Sequence, residues 1–136
     1  MRKAKFLFFF LTIIGLISFR FITNGPDIEA GLFKVAIMYP GGKDKTFDMD
    51  YYEKSHMPMM ATQLGKNLKF YEIDKDISGR TPKDEPPFVA VGYFYCHDIA
   101  EYNQSIAKNI DTILNDIKKY TNIQPVILIS EIKEVR

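Results

Sequence analysis

The segment Leu32-Phe33-Lys34-Val35-Ala36-Ile37-Met38-Tyr39 is apolar at nearly every position and is followed by Pro40-Gly41-Gly42. Successive side chains of a strand point to opposite faces, so a half-exposed strand alternates apolar and polar residues. Here only Lys34 interrupts the apolar run, and it does so on one face. The segment therefore predicts a strand that is covered on both faces and ends in a loop.

A helix that carries an imidazole and two phenols is predicted after this loop. Its sequence is Phe47-Asp48-Met49-Asp50-Tyr51-Tyr52, followed by His56-Met57-Pro58. Asp48 is a good N-cap residue, because its carboxylate can accept hydrogen bonds from the free amides of the first turn. Pro58 predicts a kink near His56, since it lacks the amide hydrogen that the helix needs. Helical spacing puts on one inward face the residues Tyr52, His56, Met59, Met60 and Gln63.

The rest of the chain predicts three more strands and a second helix. The strands are expected at residues 68–74, 88–96 and 126–132, and a charged loop with glycine and prolines occupies residues 78–87. Asp98 caps the second helix, with Glu101 at the capping-box position. A helical stripe that predicts core packing consists of Tyr102, Ile106, Ile110, Ile113 and Ile117.

This order of elements predicts an α+β fold, a ferredoxin-like βαββαβ subunit with an antiparallel sheet and two helices on one face. Gly92, inside the third strand, predicts either a bulge or a close approach by another group. Two helices cover only one face of the sheet, although the first and third strands are apolar on both faces. A second copy is therefore expected to cover the other face, giving a homodimer whose two sheets form a dimeric α/β barrel.

Residues 1–26 are predicted to be a signal peptide or an uncleaved signal anchor, and residues 27–136 to be the folded domain. Three basic residues precede an uncharged apolar run at residues 6–19, an order typical of export signals. A bilayer span needs about 20 apolar residues, which this run reaches only if Arg20 lies at the interface. The domain is expected to be exported, periplasmic or extracellular, or to be held at the membrane through this segment alone.

Charge and cysteine content exclude several classes of function. The net charge of +1 becomes −3 without residues 1–26, which hold four basic and no acidic residues. A nucleic-acid partner is therefore not expected. Cys96 is the only cysteine, so a disulfide within one chain is excluded, and the thiol is expected to pack as a small hydrophobe. His56 and His97 are far apart and no metal-binding motif is present, so no metal site is predicted.

In the order of its motifs, the chain resembles the EthD-type proteins of the dimeric α/β-barrel superfamily. The two stretches of the first helix carry part of this resemblance. The other matching pieces are Val35-Ala36-Ile37-Met38-Tyr39-Pro40, Val89-Ala90-Val91-Gly92, Tyr120-Thr121-Asn122-Ile123-Gln124-Pro125-Val126 and Ile129-Ser130-Glu131.

The resemblance implies a ferredoxin-like subunit that dimerises and encloses a pocket between its sheet and its helices. The founding member is associated with bacterial degradation of a fuel ether. Relatives in the superfamily include cofactor-free monooxygenases, muconolactone isomerase-like enzymes and haem-using enzymes. Most such proteins look cytosolic, so the predicted leader is a departure from the pattern.

His56 is the candidate catalytic residue, because an imidazole exchanges a proton near neutral pH. The candidate substrate-binding residues are Tyr51, Tyr52, Met60, Thr121 and Asn122. Together with the resemblance, they predict an oxidoreductase-like or isomerase-like enzyme that needs no cofactor. Its substrate would be a small hydrophobic molecule, carbonyl-bearing or aromatic, whose developing oxyanion the tyrosine hydroxyls stabilise.

Three alternatives stay open on the sequence alone. A haem needs only one axial histidine, so it remains a candidate cofactor. A non-catalytic exported protein could bind a small ligand in the same pocket. A purely structural dimer would have a filled barrel and no ligand. In the last two cases, His56 is a structural residue.

Overall fold

Four antiparallel strands form one sheet in the order β2-β3-β1-β4 in the computed structural model, which describes residues 27–136. The strands are β1 (Phe33–Pro40), β2 (Leu68–Lys75), β3 (Phe88–Cys96) and β4 (Val126–Glu131). With a helix after β1 and another after β3, this is the ferredoxin-like α+β fold that the sequence predicts. The export segment predicted for residues 1–26 lies outside the described residues. Within residues 27–136, no helix is long and apolar enough to cross a membrane.

The first helix, α1, consists of three consecutive segments: α-helical Met49–Tyr51, π-helical Tyr52–His56 and α-helical Met57–Leu64. It begins as predicted, because the Asp48 carboxylate accepts a hydrogen bond from the Tyr51 amide at 3.0 Å. Near His56, where Pro58 predicts a kink, the structure has a π-helical turn, which the Met57 amide closes by donating to the Tyr52 carbonyl. Pro58 has no amide hydrogen with which to continue an α-helical pattern, and the wider turn accommodates it.

The second helix, α2 (Ile99–Ile117), begins at Asp98, whose carboxylate accepts a hydrogen bond from the Glu101 amide at 2.8 Å. The Asp98 amide, which a capping box would pair with the Glu101 side chain, donates instead to the side-chain oxygen of Asn67 at 2.8 Å. The Asn67 side-chain amide in turn donates to the Asp98 carbonyl. Buried Asn67, the last residue of the 3-10 turn Gly65–Asn67 that follows α1, thus connects this turn to the start of α2.

Gly92 marks a close approach between β3 and α1. A Cβ atom at this position would lie 2.0 Å from the hydroxyl oxygen of Tyr52. The strand pairing continues through Gly92 on both sides, so the bulge that the sequence left as an alternative is not formed there. The missing side chain of Gly92 provides the space in which the Tyr52 hydroxyl packs against the sheet.

The strand β4 exposes four consecutive apolar side chains, Val126 to Ile129, each with between 43% and 57% of its surface accessible. Because side chains alternate along a strand, they divide between the two faces of the sheet. Leu128 pairs with Ala36, on the face away from the helices. Ile127 pairs with Ile37 on the helix-covered face, where it borders the cavity described below.

Candidate functional site

A cavity of about 200 Å³ lies between the sheet and the two helices. Tyr39, Tyr52 and His56 are each at most 4% exposed and form its closed end. Ile110, Leu114 and Ile127 are each more than 40% exposed and form its open end. Aliphatic, methionine and aromatic side chains make up most of the remaining wall, which contains no Lys, Arg, Asp or Glu. The cavity is therefore largely apolar, with an imidazole and two phenols at its closed end and the exposed Gln124 also on its wall.

The imidazole of His56 is held by a carboxylate. Its Nδ1 atom lies 2.8 Å from Oδ2 of Asp116, a residue in the last turn of α2. A carboxylate can only accept here, so Nδ1 carries the hydrogen, and in the neutral ring Nε2 keeps its lone pair. Burial lowers the pKa of His56, and the hydrogen bond to Asp116 opposes this effect in part. His56 is therefore neutral at neutral pH and has a nitrogen that can accept a proton.

Asp116 accepts two further hydrogen bonds, both at its other oxygen. The Tyr51 hydroxyl donates to Oδ1 at 2.7 Å, and Nζ of Lys119 donates to the same atom at 3.1 Å. Burial by itself would raise the pKa of Asp116, but the hydrogen bonds from His56, Tyr51 and Lys119 outweigh it and keep the pKa below its ordinary value. Asp116 is therefore ionised at neutral pH and fixes the orientation of the His56 ring.

Three buried tyrosines form one cluster with His56, in which Tyr52 and Tyr120 contact the imidazole and Tyr39 contacts both of them. The Tyr52 ring stacks on the imidazole, with 5.6 Å between the ring centroids, and the Tyr120 centroid lies 4.7 Å from it. The hydroxyl oxygens of Tyr39 and Tyr120 are 2.7 Å apart. Burial raises the pKa of all three phenols, so they stay protonated at neutral pH. Only one hydrogen can lie between the Tyr39 and Tyr120 oxygens, so the other hydroxyl hydrogen of this pair is available to a third group.

The structure brings together three of the predicted site residues. Tyr52, His56 and Met60 all line the cavity. Tyr51 does not line it, because its hydroxyl points to Asp116. Tyr51 is thus linked to His56 through the carboxylate. Its direct contact with a substrate stays a prediction.

Thr121 and Asn122 lie outside the cavity wall, and their polar groups hold the loop that precedes α1. The Thr121 hydroxyl donates to the Thr46 carbonyl at 2.7 Å. The Asn122 side chain accepts from the Thr46 amide and donates to the Asp44 carbonyl, both at 2.9 Å. Their predicted part in substrate binding stays a prediction, whereas these hydrogen bonds give them a structural role.

Asp116, Tyr39 and Tyr120 belong to the site in the structure but are not among the candidate residues predicted from the sequence. A signal for Asp116 was present, because it lies three residues after Ile113 and four before Tyr120, on the apolar stripe of α2. A carboxylate on such a face needs a buried partner. Tyr39 carried no comparable signal, since an aromatic residue near the end of an apolar strand is normally core.

The candidate cofactors can be tested against the residues present. Within residues 27–136, no group of His, Cys, Asp and Glu side chains could hold a metal ion. The cavity, at about 200 Å³, is smaller than the roughly 300 to 1,000 Å³ typical of pockets for drug-sized ligands. A haem is larger than such ligands, so this cavity does not fit one.

The fold and the cavity define a small ferredoxin-like protein with an apolar cavity between its sheet and its helices. Neither the models of protein families nor the curated proteins contain a match to the chain. Among solved structures, it is similar to an EthD-like protein from Ralstonia eutropha JMP134, with 35% sequence identity and a TM-score of 0.74. That match covers 79% of this chain and 97% of the other. The chain therefore belongs to the EthD-like family of dimeric α/β-barrel proteins, as its motifs indicate.

Two more distant structures share the fold. An EthD family protein from Bacillus halodurans C-125 is 16% identical, with a TM-score of 0.55, and the match covers 74% of this chain and 97% of the other. A dimeric ferredoxin-like protein of unknown function from Thermobifida fusca YX is 10% identical, with a TM-score of 0.50. That match covers 79% of this chain and 99% of the other. At these identities, the likeness concerns the fold alone.

Proposed function

We propose that the cavity binds a small, uncharged, carbonyl-bearing or aromatic molecule and that His56 transfers a proton to or from it. One observation carries this proposal: a buried imidazole, fixed through Nδ1 by an ionised carboxylate, lies at the closed end of an apolar cavity. A histidine oriented in this way is a common general base, because the carboxylate stabilises the imidazolium that forms when Nε2 takes a proton.

The cavity wall favours an uncharged ligand. His56 is its only side chain that titrates near neutral pH, and the wall offers no cation to pair with a carboxylate or phosphate. Moving an unpaired charge into such surroundings is strongly unfavourable. A ligand with an apolar body and one polar end can instead put that end against His56 and the tyrosine hydroxyls.

The reaction that fits these groups begins next to a carbonyl. Nε2 of His56 removes a proton from the adjacent carbon, the C–H electron pair moves toward the carbonyl, and a phenol hydroxyl donates a hydrogen bond to the resulting oxyanion. Return of the proton to another carbon completes an isomerisation and needs no oxidant. An oxidoreductase-like outcome, in which the carbanion reacts with dioxygen, would start with the same step.

Proton exchange tests this function without knowledge of the natural substrate. A panel of small uncharged ketones, enones and lactones is incubated with the protein in D₂O, and loss of the α-proton signal is followed by NMR. We expect accelerated exchange for at least one compound that also binds by saturation-transfer NMR. Binding without exchange throughout the panel would contradict proton transfer and favour the non-catalytic binder, and no binding at all would favour the structural dimer.

The proposed place of action is outside the cytoplasm. The basic and then apolar order of residues 1–26 supports export or anchoring. The lone thiol is compatible with an oxidising compartment, because burial raises the pKa of Cys96 to about 11 and leaves little reactive thiolate at neutral pH.

We also propose that the protein is a homodimer, in keeping with its family and with the dimeric relative from Thermobifida fusca. Leu128→Asp is expected to convert the dimer to a monomer, because it puts a charge on the apolar outer face of the sheet. Ile127→Asp is the matched control: Ile127 is similarly exposed, at 57% against 54%, but lies on the opposite face. Light scattering coupled to size exclusion gives the mass of each variant. A dimeric Leu128→Asp protein would contradict packing through this face.

A further inference from the structure

The pair of His56 and Asp116 connects the cavity to the protein surface. His56 lines the cavity, and Asp116 is 7% exposed. Lys119, which donates to Asp116 at 3.1 Å, has 60% of its side chain exposed and lines an open groove on the outer side. Its Nζ also lies 5.9 Å from the centroid of the Tyr51 ring. A positive charge in solvent contact is therefore one hydrogen bond away from the carboxylate that holds the candidate base.

The positive charge of Lys119 can influence the protonation of His56 because of the groups that surround the imidazole. Tyr52 from α1 and Tyr120 from the segment after α2 pack against the imidazole as neutral phenols, and Tyr39 from β1 contacts both of them. Asp116 from α2 is the carboxylate hydrogen-bonded to the ring. The tendency of the imidazole to become charged thus depends mainly on burial, which disfavours the cation, and on the effective charge of Asp116, which favours it.

Donors to Asp116 reduce that effective charge. The carboxylate shares its negative charge with the Tyr51 hydroxyl and the Lys119 ammonium at Oδ1, and so attracts the His56 proton less strongly from Oδ2. Without Lys119, the same carboxylate would stabilise an imidazolium more strongly. A larger fraction of His56 would then be protonated near neutral pH, and only the remaining neutral fraction could act as a base.

We propose that Lys119 is a positioning residue that neutralises part of the Asp116 charge across the cavity wall and thereby keeps His56 ready to accept a proton from the ligand. This role rests on the proposed function of His56. The electrostatic coupling from Lys119 through Asp116 to His56 is a property of the structure, and it can be measured without any substrate.

The chain is well suited to an NMR titration, because it has only two histidines, His56 and His97. The variant His97→Gln assigns the signals. We expect Lys119→Met to raise the pKa of His56 by about half a pH unit or more, as the loss of a nearby unit charge implies. Lys119→Arg should restore the wild-type value. Lys118→Met is the matched control, since that lysine binds Asn115 and not Asp116.

An unchanged or lowered pKa in Lys119→Met, or an equal rise in Lys118→Met, would overturn the proposal. The ¹H–¹⁵N spectrum shows whether each variant keeps the fold, which is expected because the Lys119 end of the ion pair is largely exposed to solvent. If the exchange assay yields a substrate, the pH profile of the rate should move upward with the pKa. A pKa shift in a protein that catalyses no exchange would refute the proposed function and leave the coupling intact.

Discussion

His56→Gln is expected to lower the rate of the catalysed proton exchange at least about 100-fold. Positioned acid–base groups typically raise the rate of a reaction 10²- to 10⁴-fold. Glutamine is close to histidine in size, and its amide can still donate to Asp116, so the fold, the dimer and ligand binding should persist. In the wild-type protein, the rate should be flat at high pH. It should fall as the pH drops through the pKa of His56, which burial places below 6.5.

His97→Gln is the matched control for this experiment, since His97 is exposed and lies outside the cavity wall. It should leave the exchange rate unchanged. Ligand affinity is measured beside the rate in both variants, so that a failure to bind is not mistaken for a failure of chemistry. Exchange at the wild-type rate in His56→Gln would remove His56 from the mechanism.

Gly92→Ala is expected to lower the free energy of unfolding by about 3 kcal/mol. This value is at the upper end of the range typical for an extra methyl group inserted into a packed core. The new Cβ would lie 2.0 Å from the Tyr52 hydroxyl oxygen and 3.3 Å from Cε of Met57. Tyr52 is 1% exposed, and its ring packs against Tyr39 and His56, so it cannot move without disturbing the closed end of the cavity. Urea denaturation followed by circular dichroism gives the change.

A double variant isolates the cause of this loss. Tyr52→Phe removes the clashing oxygen, and the nearest remaining contacts to the new Cβ are then 3.3 Å. In the Tyr52→Phe protein, Gly92→Ala should therefore be less destabilising by at least about 1 kcal/mol, an interaction energy within the range for residues in contact. Additive effects of the two substitutions would show that the close approach of Tyr52 is not what Gly92 permits.

The sequence predicts the elements of this fold well because their signals are local. The strand expected at residues 88–96 has those bounds in the structure, and the helix after Asp48 begins where its cap indicates. For the π-helical turn at Tyr52–His56, the sequence predicts only a kink near His56. The sequence shows that the α-helical hydrogen bond is missing there, but not how the backbone compensates.

The candidate site was predicted less completely, because its contacts join distant parts of the chain. His56 and Asp116 are 60 residues apart, and Tyr39 and Tyr120 are 81 apart. The α2 stripe was assigned to core packing, but it also lines the cavity, and Ile110 at its open end is 41% exposed. A pattern of apolar residues does not distinguish a face that fills the core from one that borders a small cavity.

The protonation state of His56 tests the central claim most directly. A long-range ¹H–¹⁵N correlation spectrum at neutral pH distinguishes the two neutral tautomers from the imidazolium by the chemical shifts of both ring nitrogens. We predict the tautomer with hydrogen on Nδ1, and a change in the Nε2 shift when a compound that undergoes exchange is added. An imidazolium, or a tautomer with hydrogen on Nε2, would contradict the assignment of His56 as the base of this cavity.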